Sequence, residues 1–214
     1  MERLEDLNLS GIKIFQDDSL YSFTSDSLML SRFASYKKGD TVADFCAGSG
    51  IVGFHYLALH PELSSLYLIE LQKPLYDLTV KSIEYNNLSD KVFSLNIPVQ
   101  QIPESFNGKF SLILCNPPYM KAGAGDGSQD ENIRICKSEE KLTLKELIAA
   151  AKRALKFGGR LNLVHRADRL AEVVFELKSS GLEPKRICFI SAKNKAPYLF
   201  MIEAVKGGKE GPCC

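Results

Sequence analysis

The segment Thr41-Val-Ala-Asp44-Phe-Cys-Ala-Gly48-Ser-Gly50-Ile-Val-Gly53 decides how the rest of the chain is interpreted. Its first half is a short, mostly apolar run, which predicts a buried strand. The three glycines then follow where a strand turns into a helix, so that the backbone can approach a ligand closely. The helix expected at about 50–60 ends before Pro61. The segment therefore predicts one strand–turn–helix unit of an open α/β sheet.

Strands and helices alternate along the rest of the chain. Strands are expected at Thr41 to Cys46, Ser65 to Ile69, Val92 to Leu95, Phe110 to Cys115, Leu161 to Val164, Arg186 to Ile190 and Tyr198 to Val205. Helices are expected at about 26–35, 50–60, 73–86, 143–156 (with Gly158-Gly159 as its C-cap) and 168–180. The connection between the last two strands is too short for a helical crossover, so they should be antiparallel. The sequence predicts a doubly wound, mostly parallel seven-stranded Rossmann-like sheet with its last strand antiparallel.

The residues before the first core strand are expected to form a short N-terminal extension. In it, Ile12, Ile14 and Phe15 are expected to form a short hairpin with the segment that follows them. A cluster of hydroxyl and carboxylate residues, Thr24 to Ser27, predicts the start of the helix at about 26–35. This cluster is interpreted here as a helix cap.

Composition sets the broad class of the protein. With 214 residues, 45% hydrophobic and 25% charged, the chain suits one globular domain. It contains no run of 18 apolar residues and no basic-then-apolar start, so we expect a cytoplasmic protein without a membrane span. Six cysteines without CxxC spacing indicate reduced thiols and no metal site.

The charges are distributed unevenly along the chain. Residues 1–107 carry 8 Lys and Arg against 14 Asp and Glu, a net charge of −6, whereas residues 108–214 carry 19 against 12, a net charge of +7. Such asymmetry between the two halves favours a polyanionic partner, although lysines that solvate helix faces give the same counts.

A second informative segment is Asn116-Pro117-Pro118-Tyr119, which directly follows the apolar run Phe110 to Cys115. Two prolines stop the chain from continuing as strand or helix, so they make a stiff corner at the carboxyl end of a strand. The side chain of Asn116 and the backbone of Pro117 offer carbonyl oxygens, and Tyr119 offers a flat face. This corner suits a planar substrate with an exocyclic NH2 group. A proline-rich turn with a surface tyrosine is the alternative.

The acidic residue Glu70 ends the next strand, where a carboxylate can accept both hydroxyls of an adenosine ribose. The spacing Gly48-x-Gly50-x-x-Gly53 also matches the fingerprint of NAD sites. Three features argue against NAD: Asp44 lies inside the preceding strand, Cys46-Ala47 separates this strand from the first glycine, and the Asn-Pro-Pro-Tyr corner serves no hydride transfer.

Taken together, the glycine motif, Glu70 and Asn116-Pro-Pro-Tyr119 resemble class I S-adenosylmethionine-dependent methyltransferases that methylate amino groups. Further stretches resemble the bacterial tRNA1(Val) adenine-N6 methyltransferases, namely Tyr21 to Ala34, Tyr76 to Asn87, Val164 to Leu170 and Glu183 to Ile187. The resemblance runs from about residue 3 to 209. It implies an N-terminal extension and helix in 1–36, a methyltransferase domain in 37–206 and a disordered tail in 207–214.

The resemblance also implies roles for individual residues. The catalytic corner would be Asn116, Pro117, Pro118 and Tyr119, with oxygen acceptors for the N6 hydrogens and a ring that stacks on the base. S-adenosylmethionine would be bound by Thr24, Asp26, Asp44, Cys46, Ala47, Gly48, Gly50, Glu70, Leu71, Asn96, Ile97 and Asn116. Phe23 would flank the base, and Arg134, Lys137 and Arg166 would contact tRNA. Each of these three cations is equally well explained as a solvated surface charge.

The chain departs from the family pattern at two places. Asn96-Ile97 stands where such enzymes usually carry an aspartate for the adenine amino group of the cofactor, although an asparagine can also accept from NH2. The stretch Ile135 to Glu139 replaces the usual Ala-Arg-His-Glu. Its Lys137 keeps the positive charge of the arginine but loses the planar fork that pairs with phosphate.

Three functions therefore stay open at the level of sequence. The first is a tRNA adenine-N6 methyltransferase that uses S-adenosylmethionine and acts as a monomer or weak dimer. The second is an amino methyltransferase for rRNA, DNA or a protein glutamine side chain, which needs the same two acceptors. The third is an NAD-binding protein or a catalytically idle RNA-binding module.

Overall fold

The computed structural model describes residues 1–20, 25–117 and 142–211. The strands in these ranges are β1 (Glu2–Asp6), β2 (Lys13–Asp17), β3 (Thr41–Phe45), β4 (Ser65–Ile69), β5 (Val92–Leu95), β6 (Phe110–Cys115), β7 (Leu155–Arg166), β8 (Leu182–Ile190) and β9 (Leu199–Lys206). The helices are α1 (Ser25–Phe33), α2 (Ile51–Leu59), α3 (Lys73–Tyr85), α4 (Leu144–Ala154) and α5 (Leu170–Ser179), with 3-10 turns at Val99–Gln101, Glu104–Phe106 and Ala167–Arg169. Among these helices, none is both long and apolar enough to cross a membrane.

The main sheet has seven strands in the order β5-β4-β3-β6-β7-β9-β8. All neighbours before β9 are parallel, and β9 is antiparallel to β7 on one side and to β8 on the other. The predicted fold class, including the antiparallel last strand, is confirmed. The insertion of β9 between β7 and β8 makes β8 the edge strand and turns it parallel to the central strands.

The sheet has a hydrophobic core on each face. Val42 and Leu112 belong to the core that α1 and α2 cover, whereas their neighbours Ala43 and Ile113 belong to the core that α4 and α5 cover. Strand β6 is buried along its whole length. A strand with helices on both sides needs apolar residues at every position, which explains the continuous apolar run Phe110 to Cys115.

The helix expected at about 143–156 ends earlier than predicted, and the assignment of Gly158-Gly159 as its C-cap is wrong. Leu155 already has extended angles (φ −71°, ψ 138°), so the chain passes directly from α4 into β7. The two glycines lie in an irregularity of β7, between its pairing of Leu155 with Phe110 and that of Arg160 with Leu112. A Cβ on Gly159 would lie 2.8 Å from the carbonyl oxygen of Lys156, so this bend requires a glycine.

The hairpin of the N-terminal extension forms with the opposite neighbour from the one predicted. Strand β2 pairs with the preceding segment β1 over all five of its residues. The reason is the turn between them, where Asn8, Ser10 and Gly11 have φ angles of 53°, 52° and 70° and reverse the chain. The hairpin then packs on α3, where the Ser82 hydroxyl accepts from the backbone N–H of Phe15 at 2.9 Å.

A buried polar cluster attaches the C-terminal end of α1 to the sheet. Arg160 of β7 donates to the carbonyl of Ser35 and to the carboxylate of Asp40, both at 2.6 Å. The hydroxyl of Ser35 donates to the carboxylate of Glu203 at 2.9 Å and accepts from Arg186. Because α1 is fixed at this end, its first turn is held at the opposite, carboxyl end of the parallel strands.

The predicted division into 1–36, 37–206 and 207–214 stays a prediction. Residues 212–214 of the predicted tail lie outside the described part of the chain.

We expect Arg160→Leu to destabilise the protein by about 3 kcal/mol, because it leaves the Asp40 carboxylate buried without its cation. Urea denaturation measures this loss. The matched control is Lys38→Ala, which removes a pair between the exposed side chains of Lys38 and Glu62 and should cost less than about 1 kcal/mol. Equal small losses for both variants would contradict the role given to Arg160.

Candidate active site

Three of the predicted site residues meet at one edge of the sheet. Phe45 at the end of β3 pairs with Ile69 at the end of β4 and with Cys115 at the end of β6. The next residue of each strand therefore lies at the same level, which brings Cys46, Glu70 and Asn116 side by side. The glycine motif, Glu70 and the start of the Asn-Pro-Pro-Tyr segment, which are far apart in the sequence, therefore lie together at this end of the sheet.

The glycines of the turn after β3 have different structural functions. Gly48 and Gly50 have φ angles of 57° and 86°, which a glycine adopts without strain. A Cβ on Gly53 would lie 2.6 Å from the Leu68 side chain, so the third glycine serves close packing of α2 on β4. At Gly48 no atom of the described chain lies within 4 Å of such a Cβ, so the turn is open there. Cys46 has φ 58°, a left-handed conformation that costs an ordinary side chain roughly 1–2 kcal/mol.

The carboxylate of Glu70 faces this turn. One of its oxygens accepts from the backbone N–H of Gly48 and the other from that of Gln72, each at 2.8 Å. The side chain is buried, and burial raises the pKa of Glu70, an effect that the backbone N–H groups of Gln72, Gly48 and Leu71 partly offset. A carboxylate has about four acceptor positions, so Glu70 keeps capacity to accept from a hydroxyl group of a ligand.

Asp44 is completely buried beneath the turn. Its Oδ2 accepts from the N–H of Gly53 at 2.8 Å, while its Oδ1 has no hydrogen-bond partner in the described part of the chain. Burial raises the pKa of Asp44 to about 8, with the N–H of Gly53 lowering it and the charge of Glu70 adding to the rise. A cationic group brought by a ligand would favour the ionised carboxylate of Asp44 and offset this rise in its pKa.

The side-chain amide of Asn116 is oriented by α1. Its Nδ2 donates to the hydroxyl of Ser27 at 3.0 Å, and Ser27 is itself buried in the first turn of α1. Because the NH2 group donates to Ser27, the carbonyl Oδ1 lies on the side of the amide away from this hydroxyl. Ser27 was expected only as part of a helix cap, and no pattern in the sequence connects it with Asn116.

Asn96, the departure from the family pattern, has a bonding pattern that an aspartate cannot make. Its Nδ2 donates to the backbone carbonyls of Glu70 and Leu71, both at 2.9 Å. The amide oxygen therefore points away from these carbonyls and can accept from an NH2 group. Ile97 follows, half-buried against the α4 side of the core.

A second buried contact, also missed from sequence, connects the N-terminal hairpin to the glycine turn. Gln16 of β2 donates from Nε2 to the hydroxyl of Ser49 at 2.6 Å, and both side chains are buried. The residues are 33 positions apart, so no local pattern indicates the contact. The start of the turn is also held by a backbone hydrogen bond, in which the N–H of Ala47 donates to the carbonyl of Ile69 at 3.1 Å.

The remaining predicted site residues are placed as follows. Asp26 lies in the first turn of α1. Arg166, at the end of β7, is exposed and forms two hydrogen bonds with Asp168, at 2.6 and 3.1 Å, so its guanidinium is already paired. Phe23, Thr24, Pro118, Tyr119, Arg134 and Lys137 lie outside the described residues. The roles given to all these residues stay predictions.

His165, next to Arg166, has a structural environment. Its ring is buried, its Nδ1 accepts from the backbone N–H of Arg166 at 2.9 Å, and burial lowers its pKa to about 4. The imidazole is therefore neutral at physiological pH. Across residues 1–20, 25–117 and 142–211, no group of three His, Cys, Asp or Glu side chains is arranged to hold a metal ion.

Comparison with known proteins gives one family and several distant relatives. Residues 14–180 match the methyltransferase small domain family. A tRNA1(Val) (adenine(37)-N6)-methyltransferase of Histophilus somni is 22% identical over 166 residues, which cover 77% of this chain and 69% of the relative. A protein of the same name from Shewanella putrefaciens is 25% identical over 162 residues, which cover 75% of this chain and 66% of the relative.

Solved methyltransferase structures have the same fold as this chain. An Agrobacterium tumefaciens protein described as a predicted O-methyltransferase has a TM-score of 0.66 at 18% identity, covering 87% of this chain and 83% of that one. Geranyl diphosphate C-methyltransferase from Streptomyces coelicolor, solved with S-adenosyl-L-homocysteine, has a TM-score of 0.60 at 13% identity, covering 85% and 78%. At such identities the likeness concerns the fold alone.

The raised pKa of Asp44 predicts how stability depends on pH. The folded state keeps the proton up to about pH 8, whereas the unfolded state loses it near the ordinary value of 3.8, so this contribution to stability falls as pH rises between these values. Asp44→Asn should therefore raise the thermal midpoint relative to the wild type more at pH 8 than at about pH 5, by at least about 4 °C.

Differential scanning fluorimetry across this range measures the effect. The matched control is Asp77→Asn, which changes an exposed carboxylate on α3 and should leave the pH dependence as in the wild type. Parallel curves for the wild type and Asp44→Asn would contradict the assignment.

Proposed function

The chain belongs to the methyltransferase small domain family and is a class I S-adenosylmethionine-dependent methyltransferase, and we propose that its substrate is the exocyclic N6 of an adenine in tRNA. The observation that carries the proposal is the oriented amide of Asn116, whose NH2 donates to Ser27 at the end of the sheet where Cys46 and the glycine turn also lie. The names of the relatives from H. somni and S. putrefaciens support tRNA as the substrate.

The described residues fit S-adenosylmethionine. Glu70 would accept the ribose hydroxyls with its remaining lone pairs, next to the open space at Gly48. Asp44, whose Oδ1 has no hydrogen-bond partner in the part of the chain that the structure describes, would face the cationic amino acid end. Asn96 would accept from the adenine amino group, because its own NH2 is used by two backbone carbonyls. When bound, the sulfonium supplies an electrophilic methyl group and a neutral leaving group.

The substrate amine is a poor nucleophile, because the lone pair of adenine N6 is delocalised into the ring. We expect Asn116 Oδ1 and the Pro117 carbonyl to accept its two hydrogens. Two fixed acceptors draw the nitrogen towards tetrahedral geometry and stabilise the positive charge that develops on it. The bond from α1 and the fixed φ of Pro117 hold these acceptors in place beforehand, so the residues contribute mainly alignment and electrostatics. No strong general base is required.

The base has to leave its stack to reach this corner. Asn116 lies at the level of Cys46, at the end of the sheet, and not on a protruding loop. An adenine in an unpaired RNA loop is turned out at lower cost than one in a duplex. This consideration, together with the basic second half of the chain, favours RNA over DNA and over a glutamine side chain.

The proposal is tested by methyl transfer from labelled S-adenosylmethionine to total tRNA, followed by nucleoside analysis. The expected product is N6-methyladenosine in tRNA. Parallel reactions use rRNA, duplex DNA and a glutamine-containing peptide. Label found in these acceptors but absent from tRNA would overturn the tRNA proposal, and label on a different nucleoside would overturn the N6 assignment.

The corner should act on turnover and not on cofactor binding. We expect Asn116→Ala to lower kcat by at least about 100-fold, the loss typical of one donor or acceptor aimed at a transition state, with cofactor affinity almost unchanged. Steady-state kinetics and calorimetry measure these two quantities. An equal loss of both would show that Asn116 belongs to the cofactor site alone.

Ser27 should act through Asn116. Ser27→Ala removes the hydroxyl that accepts from Nδ2, so kcat should fall about 10-fold while KM for tRNA and cofactor affinity stay within about twofold. The matched control is Ser25→Ala, an exposed serine in the same helical turn, which should leave kcat unchanged. A similar kcat for both variants would contradict the positioning function.

A further inference from the structure

One exposed surface at the edge of the sheet is used by no contact described above. It consists of Phe189 near the end of β8, Lys193 and Lys195 in the loop between β8 and β9, and Tyr198 just before β9. We call these four residues the β8–β9 rim. The whole loop, residues 191–198, is exposed.

The β8–β9 rim lies at the same edge of the sheet as Asn116. Because β9 is antiparallel to both β7 and β8, strand β8 runs parallel to β6 and ends on the same side. Tyr198 is fixed there, since its N–H donates to the carbonyl of Ile190 and its carbonyl accepts from the N–H of Ala167, both at 3.0 Å. From β6 to β8 there are three strand spacings, or about 14 Å.

The charge of this region is positive and uncompensated. Residues 184–202 contain four Lys and Arg and no Asp or Glu. Of these, Lys185 and Arg186 donate to oxygens of the protein, whereas the side-chain ammonium groups of Lys193 and Lys195 have no hydrogen bond or ion pair with any described residue. Arg166, closer to Asn116, is already paired with Asp168, so the two lysines are the better candidates for an anionic ligand.

The same surface presents aromatic rings. Phe189 is 51% exposed and Tyr198 is 49% exposed, although rings of this size usually avoid water. The backbone of Tyr198 is anchored at both of its polar groups, so its ring is available at little entropic cost. Aromatic faces beside unpaired cations are the combination with which proteins bind unpaired nucleotides, by stacking on bases and by contacting phosphates.

We propose that the β8–β9 rim binds the single-stranded loop of the RNA substrate, with Lys193 and Lys195 on its phosphates and Tyr198 stacked on a base near the methylated adenine. The proposal rests on the proposed function for the identity of the substrate. The distance of about 14 Å from β6 to β8 places a nucleotide near the target base, and not the target itself, on the rim. An acidic protein partner is the alternative that the test must separate.

The chain contains no tryptophan, so Tyr198→Trp introduces a single fluorescent reporter into the rim. The probes are an RNA hairpin with an unpaired loop, a fully paired RNA duplex of equal length and a polyglutamate peptide. We expect the hairpin to quench this fluorescence saturably and the duplex to quench it at least about fivefold more weakly, because the duplex offers no base for stacking. Equal quenching by the duplex, quenching by polyglutamate alone, or no quenching would overturn the proposal.

The lysines are tested independently of the reporter. Lys193→Ala/Lys195→Ala should weaken hairpin binding about 10-fold and make the slope of log affinity against log salt shallower by about 1.4, two phosphate contacts on a single strand. The matched control is Lys152→Ala/Lys156→Ala, two exposed lysines at the amino edge, where α4 ends and β7 begins. Equal losses of hairpin affinity in both double variants would show that any exposed lysines attract the RNA by charge, which would contradict a binding site at the β8–β9 rim.

These experiments separate the rim from the proposed function, because binding is measured without cofactor. If the hairpin quenches the fluorescence saturably but the protein methylates no tRNA, RNA binding by the β8–β9 rim would be supported and the proposed function would be contradicted. If Lys193→Ala/Lys195→Ala leaves hairpin affinity unchanged and methyl transfer to tRNA is normal, RNA binding by the β8–β9 rim would be contradicted and the proposed function would be supported.

Discussion

The hydrogen bond from Asn116 Nδ2 to Ser27 Oγ is the contact on which the arrangement of this edge depends. A side-chain amide has a donor end and an acceptor end, and it presents its oxygen to a substrate only when something else takes its NH2 group. Helix α1 supplies that partner from its first turn. The helix is fixed at its other end by Arg160 and Glu203, which bind Ser35 across the sheet. The N-terminal extension is thus part of the site.

The carboxyl end of strands β3, β4 and β6 also contains features that lower the stability of the protein. Asp44 is buried with one oxygen that has no partner among the described residues, Glu70 is buried beside it, and Cys46 adopts a left-handed conformation. Buried acceptors and backbone strain persist where the surrounding structure determines them, and they occur frequently at ligand sites. Here the rigid surroundings are the packed strands β3, β4 and β6, whose apolar faces form both cores. A ligand that brings donors and a positive charge would relieve part of the cost.

Much of the fold could be predicted from sequence, because local chemistry determines it. Phe110–Cys115 and Ser65–Ile69 are strands at the predicted bounds, since continuous apolar runs have few other solutions in an α/β protein. The predicted end of α4 was wrong because Gly158-Gly159 also suits a bend inside a strand. This bend arises from the pairing of β7 with β6, which the local sequence does not show. The Ser27–Asn116 contact joins residues 89 positions apart, and no local pattern encodes such a pair. The motifs therefore indicated the site, while tertiary packing decides how its groups are oriented.

A crystal structure of the protein with S-adenosyl-L-homocysteine and an adenine-containing RNA loop tests the central claim most directly. The account predicts that the exocyclic N6 of one adenine lies within hydrogen-bond distance of both Asn116 Oδ1 and the Pro117 carbonyl, with the bond from Asn116 to Ser27 intact. It also predicts the ribose hydroxyls of the cofactor product on Glu70. A complex in which the Asn116 amide turns away from the base, or in which its NH2 and not its oxygen faces N6, would contradict the account.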